Sequence, residues 1–201
     1  MAIQMGASAL GLVSWMPSGP GPISDEEIGE IVKTIPPPIA SFLLTCETDA
    51  AAIIKHQRRV RTNTLQLVDR LERGSYEEIR QALPGISIVQ VIHVRGEESI
   101  TEALRAADQV DAILLDSGNP DLEVKELGGT GRVHNWAISR KIVEAAAKPV
   151  FLAGGLRADN VKRAIDTVRP FGLDVCSGVR CGGKLDPRKL AAFFKAVNGY
   201  S

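Results

Sequence analysis

The sequence carries no net charge: Lys plus Arg is 24 and Asp plus Glu is 24. With no overall field to draw in nucleic acid or an anionic membrane surface, recognition has to come from local sites. Cysteine is sparse. Cys46, Cys176 and Cys181 are odd in number and lack C-x-x-C spacing, which speaks against a disulfide framework and a zinc site and fits free thiols in a reducing cytoplasm. Long apolar runs are missing too. None reaches the roughly 18 residues needed to span a bilayer, and the first residues show neither a charged n-region nor a long h-region, so the expectation is an unexported, cytoplasmic protein with no membrane partner. The three histidines have no metal-ligand spacing: His56 reads as a helix-surface residue, His93 as a strand residue and His134 as part of a loop. No metal and no cofactor are expected.

What the chain does contain is 201 residues with 44% hydrophobic content, enough for one sizeable core and hence one domain over residues 1–201. Short runs rich in Val, Ile and Leu recur at 9–15, 39–45, 64–69, 86–94, 111–117, 149–155 and 173–178. These predict seven strands. Helical patterns lie between them, and two open with a capping box, Ser24 with Glu27 and Ser75 with Glu78. Strands that are apolar throughout, rather than alternating, predict burial on both faces and therefore a parallel sheet covered by helices.

Gly-rich or polar turns follow the carboxyl ends of several of these strands, as the top face of a TIM (βα)8 barrel requires. Eight strands would need one more than the sequence shows. "MAIQMGASALGLVSW" opens in what reads as the tail of a helix, so the first strand of the barrel is expected to be missing or replaced. The exposed edge that results would favour a homodimer.

The candidate chemistry gathers at those turns. Gly154 and Gly155 in "FLAGGLRADNV" precede a helix predicted to begin near Asp159, and approachable backbone amides at a helix start suit an anion. Ser177 and Gly178 end the next strand, and paired turns after the last two strands form the phosphate site common in this fold. Each pair could also be a plain tight turn. Asp116 ends an apolar strand, where desolvation could raise its pKa enough for general-acid work, or where it could simply start a turn through backbone hydrogen bonds. Gly129, Thr130 and Gly131 in "GGTGR" read as a loop that covers substrate or as an ordinary surface loop. Cys46 and Cys176 could be nucleophiles or bases if their thiolates were stabilised, and otherwise pack as small apolar groups.

Taken together, "DAILLDS", "GGTGRVHNW", "FLAGGLRADNV" and "LDVCSGVRCGGKLDPRKLAAFF" resemble, in order and spacing, the motifs of phosphoribosylanthranilate isomerase, a (βα)8 enzyme of tryptophan biosynthesis. Weaker similarity extends back through "TLQLVD" to "GASALGLVSW". The resemblance implies an Amadori rearrangement of a small sugar-phosphate substrate, phosphoribosylanthranilate, to the carboxyphenylamino-deoxyribulose phosphate. Asp116 would be the acid acting on the ribose ring oxygen.

It also implies a cysteine base on an opening Lys-Ile-Cys-Gly strand, which has no counterpart in these residues. An arginine that would hold the anthranilate carboxylate is likewise replaced, with Ser18, Gly19 and Pro20 at its position. Val68 and Asp69, Asn135 and Cys176 are further departures. Two readings stay open: an isomerase, or a noncatalytic isomerase-like protein that keeps the phosphate side and serves in binding or assembly.

Overall fold

The computed structural model describes residues 1–129 and 131–199. Seven parallel strands form one sheet: β1 (Ala9–Val13), β2 (Ala40–Thr45), β3 (Thr64–Leu67), β4 (Ser87–His93), β5 (Ala112–Asp116), β6 (Val150–Leu152) and β7 (Gly172–Leu173). Their order in the sheet is their order in the chain. A doubly wound sheet would reverse direction at a switch point; consecutive pairing instead curls the sheet into a half-barrel of the TIM type. Among the described residues, no strand pairs with the outer edge of β1 or of β7.

Helices α1 (Asp25–Thr34), α2 (Ala50–Val60), α3 (Tyr76–Ala82), α4 (Glu98–Ala107), α5 (Trp136–Ala145), α6 (Val161–Val168) and α7 (Pro187–Asn198) follow the strands in turn. Both predicted capping boxes form. Ser24 and Ser75 each accept the backbone N–H three residues on, and Glu27 and Glu78 each accept the cap residue's own N–H. Asp186 caps α7 by accepting from the amides of Arg188 and Lys189 at 2.8 and 3.1 Å.

Two apolar clusters divide the strand residues by parity. Leu43, Leu65, Leu67, Ile88, Ile92, Ile113, Leu115 and Leu152 pack under the helices. Phe42, Leu44, Val68, Val89, Val91, Ala112, Leu114, Phe151 and Ala153 fill the concave side. Successive side chains on a strand point to opposite faces, so Asp116, two residues after Leu114, falls on the concave side at the carboxyl end of β5.

Three expectations are corrected. His56 is not a surface residue but buried, with Nδ1 3.0 Å from Thr45 Oγ1 and Nε2 3.0 Å from Asp25 Oδ1. It lies three residues after the buried Ile53 and four before the buried Val60, on the inner face of α2. Burial lowers its pKa. The helix after Gly154 and Gly155 starts at Val161, later than predicted, because Asn160 turns back: its amide donates to Gly155 O and its Oδ1 accepts from Arg157 N. The last strand stops at Leu173, and Ser177–Val179 winds into a 3-10 turn instead. Among the described residues, no helix is long and apolar enough to cross a membrane, and no cluster of His, Cys, Asp or Glu could hold a metal ion.

Candidate active site

The carboxyl ends of the strands open on a cavity of about 150 Å³, continuous with the concave side of the sheet. Its walls are largely apolar: Val13, Leu44, Val68, Val91, Leu127 and Val179 contribute side chains. Asp116 and Asp174 line its inner end, and both also line a narrow recess of about 30 Å³ that reaches Gly154, Gly155 and Ser177. The two carboxylates therefore stand where the two spaces meet.

Asp116 is 7% exposed. It does accept the Ser117 amide at 2.7 Å, as a turn-starting aspartate would, yet its carboxylate also lines both spaces. Desolvation raises its pKa, against the opposing pull of that amide and of His93, its register partner on β4. Asp174 was not singled out from the sequence. It follows β7 by one residue, and it is two residues beyond Gly172, whose added Cβ would strike the concave-side Phe151 ring at 2.7 Å. Burial and the neighbouring Asp116 push its pKa up to about 6. Its residue surface keeps some exposure because the cavity reaches it. The available signal was the same parity argument that places Asp116, applied to a strand with only two paired residues.

The predicted phosphate turns do converge. Gly154, Gly155 and Ser177 line the recess, whereas Gly178 does not. A Cβ on Gly178 would lie 1.9 Å from Leu156 O, so that glycine lets the turn after β7 press against the turn after β6. Gly155 has φ +63°, and a Cβ there would lie 2.5 Å from Arg132 O. The loop before α5 thus runs directly over the recess. Of the predicted substrate loop, Gly129 and Gly131 line the recess, and Thr130 lies outside the described residues. Gly128, at φ +141°, carries the same loop past Asp116, where a Cβ would come within 2.8 Å of Oδ2. From the other side, Ser18 Oγ donates to Lys125 O at 2.7 Å, and Lys125 pairs with Asp69. The segments after β1 and β5 are thereby tied together across the cavity.

Neither candidate cysteine gains an ionised thiol. Burial raises the pKa of Cys46 and of Cys176, so the small-apolar reading fits both better than the nucleophile reading. His134 donates to or accepts from Ser139 Oγ at 2.8 Å through Nε2, and burial lowers its pKa to about 4. The imidazole beside Gly154 is therefore neutral. A larger groove of about 690 Å³ lies on the helix side of β4, lined by Tyr76, Gln90, Glu102 and Arg105 among others. It lies away from both glycine turns, and Arg70 and Glu102 on its rim pair at 3.4 Å. Size alone does not make it the reactive site.

Comparison with known proteins bears on what this arrangement does. A family model described as N-(5'-phosphoribosyl)anthranilate (PRA) isomerase matches residues 17–196. N-(5'-phosphoribosyl)anthranilate isomerase 2 of Methanosarcina mazei is 36% identical over 195 residues, covering 96% of this chain and 85% of that protein. The crystal structure of phosphoribosylanthranilate isomerase from Thermotoga maritima superposes with a TM-score of 0.79 at 28% identity, covering 98% of this chain and 91% of the other. A second solved isomerase, in complex with reduced 1-(o-carboxyphenylamino)-1-deoxyribulose 5-phosphate, gives a TM-score of 0.76 at 26% identity, with 98% of this chain and 91% of the other covered.

Proposed function

This chain belongs to the phosphoribosylanthranilate isomerase family, and from that premise we propose which of its residues carry the isomerisation of phosphoribosylanthranilate in tryptophan biosynthesis. The observation that bears the proposal is the pair of carboxylates, Asp116 and Asp174, at the junction of a glycine-lined recess and an apolar cavity. The substrate has a phosphate at one end, an aromatic ring at the other and its reacting carbons between them. The recess takes the phosphate, the cavity takes the ring, and the C1'–C2' bond falls beside the carboxylates.

Asp116, whose pKa is raised by desolvation, is the group that gives a proton to the ribose ring oxygen. The C1'–O bond breaks as the anilino nitrogen's lone pair forms a C1'=N bond. Asp174 then accepts the proton from C2'. The freed electron pair becomes a C1'=C2' bond, and the iminium pair returns to nitrogen. Protonation of the resulting enaminol at C1', with loss of the 2'-hydroxyl proton, yields the ketone, so no atom or electron is gained or lost overall. A like-charged pair in one desolvated site favours one protonated and one ionised member, which is the division of labour this chemistry needs.

Turnover of phosphoribosylanthranilate by the purified chain, followed by chromatography of the product, tests the proposal. Binding of a ribose phosphate without turnover would favour the noncatalytic reading. The phosphate assignment has its own test in Ser177→Asp, which avoids the backbone strain that a side chain at Gly155 would add. A carboxylate about 4 Å from the phosphate at an effective dielectric of about 20 opposes it by roughly 4 kcal/mol, so affinity for ribose 5-phosphate should fall on the order of 10²- to 10³-fold. Unchanged affinity in calorimetric titration would remove Ser177 from the phosphate site.

A further inference from the structure

Of the residues that wall the 150 Å³ cavity, one is cationic among those described, and it is Arg180. Its position is built by local structure. Arg180–Cys181 and Lys184–Leu185 form a small antiparallel hairpin, β8 and β9, closed by Gly182 and Gly183 at φ +56° and +77°. Two central residues at positive φ are the signature of a tight turn that matches strand twist. Lys189 Nζ, in the first turn of α7, donates to Arg180 O at 2.8 Å, and Arg180 Nη1 donates to Gly183 O at 2.7 Å. The guanidinium is then directed across the cavity opening to the segment after β1, where a Cβ on Gly21 would lie 2.8 Å from Nη2. Gly21, at φ +96°, lies beside the guanidinium there.

We propose that Arg180 is the residue that recognises the carboxylate on the substrate's aromatic ring, and so sets the specificity of the apolar cavity for a carboxyphenyl group. This rests on the functional reading above. A ring placed among Leu44, Val68, Val91 and Leu127 has apolar partners but none for an anion; an ionised carboxylate there needs a donor pair. A guanidinium supplies two parallel N–H groups in a planar fork that matches a carboxylate. The segment after β1, at which the family resemblance leads one to expect an arginine, presents Ser18, Gly19 and Pro20; the guanidinium reaches the same opening from the opposite side, from the turn after β7.

The test compares two ligands in calorimetric titration: reduced 1-(o-carboxyphenylamino)-1-deoxyribulose 5-phosphate and the phenylamino analogue without the ring carboxylate. The wild-type chain should prefer the carboxylated ligand, and Arg180→Gln should weaken that ligand alone by about 10- to 100-fold. Arg180→Lys, which keeps the charge and loses the fork, should fall between. In turnover, Arg180→Gln should raise KM while leaving kcat within a few-fold, the pattern of a lost ground-state contact. Equal weakening of both ligands, or no weakening of either, overturns the assignment while leaving the isomerase reading standing. A wild-type chain that binds neither ligand overturns both.

Discussion

Replacing Asp116 with asparagine is expected to lower kcat by about 10²- to 10⁴-fold, the range typical for loss of a positioned general acid. The side chain is nearly isosteric, and the Ser117 amide that donates to Asp116 Oδ1 at 2.7 Å would find the asparagine carbonyl oxygen in its place. Fold and ligand binding should therefore survive. What disappears is the proton delivered to the ribose ring oxygen. A fall in kcat with an unchanged affinity for the reduced product analogue is the expected signature; turnover equal to wild type would show that another group supplies the proton. The desolvation that raises the Asp116 pKa favours the protonated carboxyl that a general acid needs.

The second large effect runs in opposite directions for activity and stability. Burial and the neighbouring Asp116 raise the Asp174 pKa from 3.8 to about 6. A carboxyl group whose pKa is raised on folding binds its proton more tightly in the native state, so the stability linked to that proton is full below the unfolded value near 3.8 and is lost as pH rises through about 6. At pH 8 the native chain carries a buried anion that destabilises it by up to about 3 kcal/mol, at about 1.4 kcal/mol for each unit. Asp174→Asn removes the anion. Its unfolding free energy in urea should exceed wild type by up to about 3 kcal/mol at pH 8 and approach wild type near pH 4.

The same substitution should reduce kcat by about 10²- to 10⁴-fold, because it removes the carboxylate proposed to accept the C2' proton. In the wild-type chain, kcat should fall on the acid side near pH 6 as Asp174 protonates, and groups facing it are Asp116 and, through the cavity, Cys176 and Arg180. A variant that is both more stable at pH 8 and inactive would identify Asp174 as a residue kept for chemistry at the expense of the fold. A variant that is more stable and fully active would remove it from the mechanism. One that is no more stable would show that solvent in the cavity already screens the charge.

Much of this protein was settled by features that act within a few residues. The strand and helix alternation followed from apolar runs and the capping pairs Ser24–Glu27 and Ser75–Glu78, each complete within a single turn of helix. Asp116 was legible because it is the one carboxylate that ends an otherwise apolar strand, a position that needs only the strand's own residues to see. The glycine turns at 154–155 and 177–178 were legible as backbone that something must approach closely. Tertiary structure alone decided that Gly178 meets Leu156 O rather than the recess, that the loop before α5 lies over Gly155, and that His56 closes a buried network with Asp25 and Thr45. It alone placed Asp174 beside Asp116 and brought Arg180 to Gly21. Apart from Thr45 and His56, which are 11 residues apart, those partners are separated in sequence by more than 20 residues, and their meeting depends on how far the sheet curls. Side-chain periodicity carries no record of that curvature, because it reports which face a residue takes and not which distant residue shares the space in front of it.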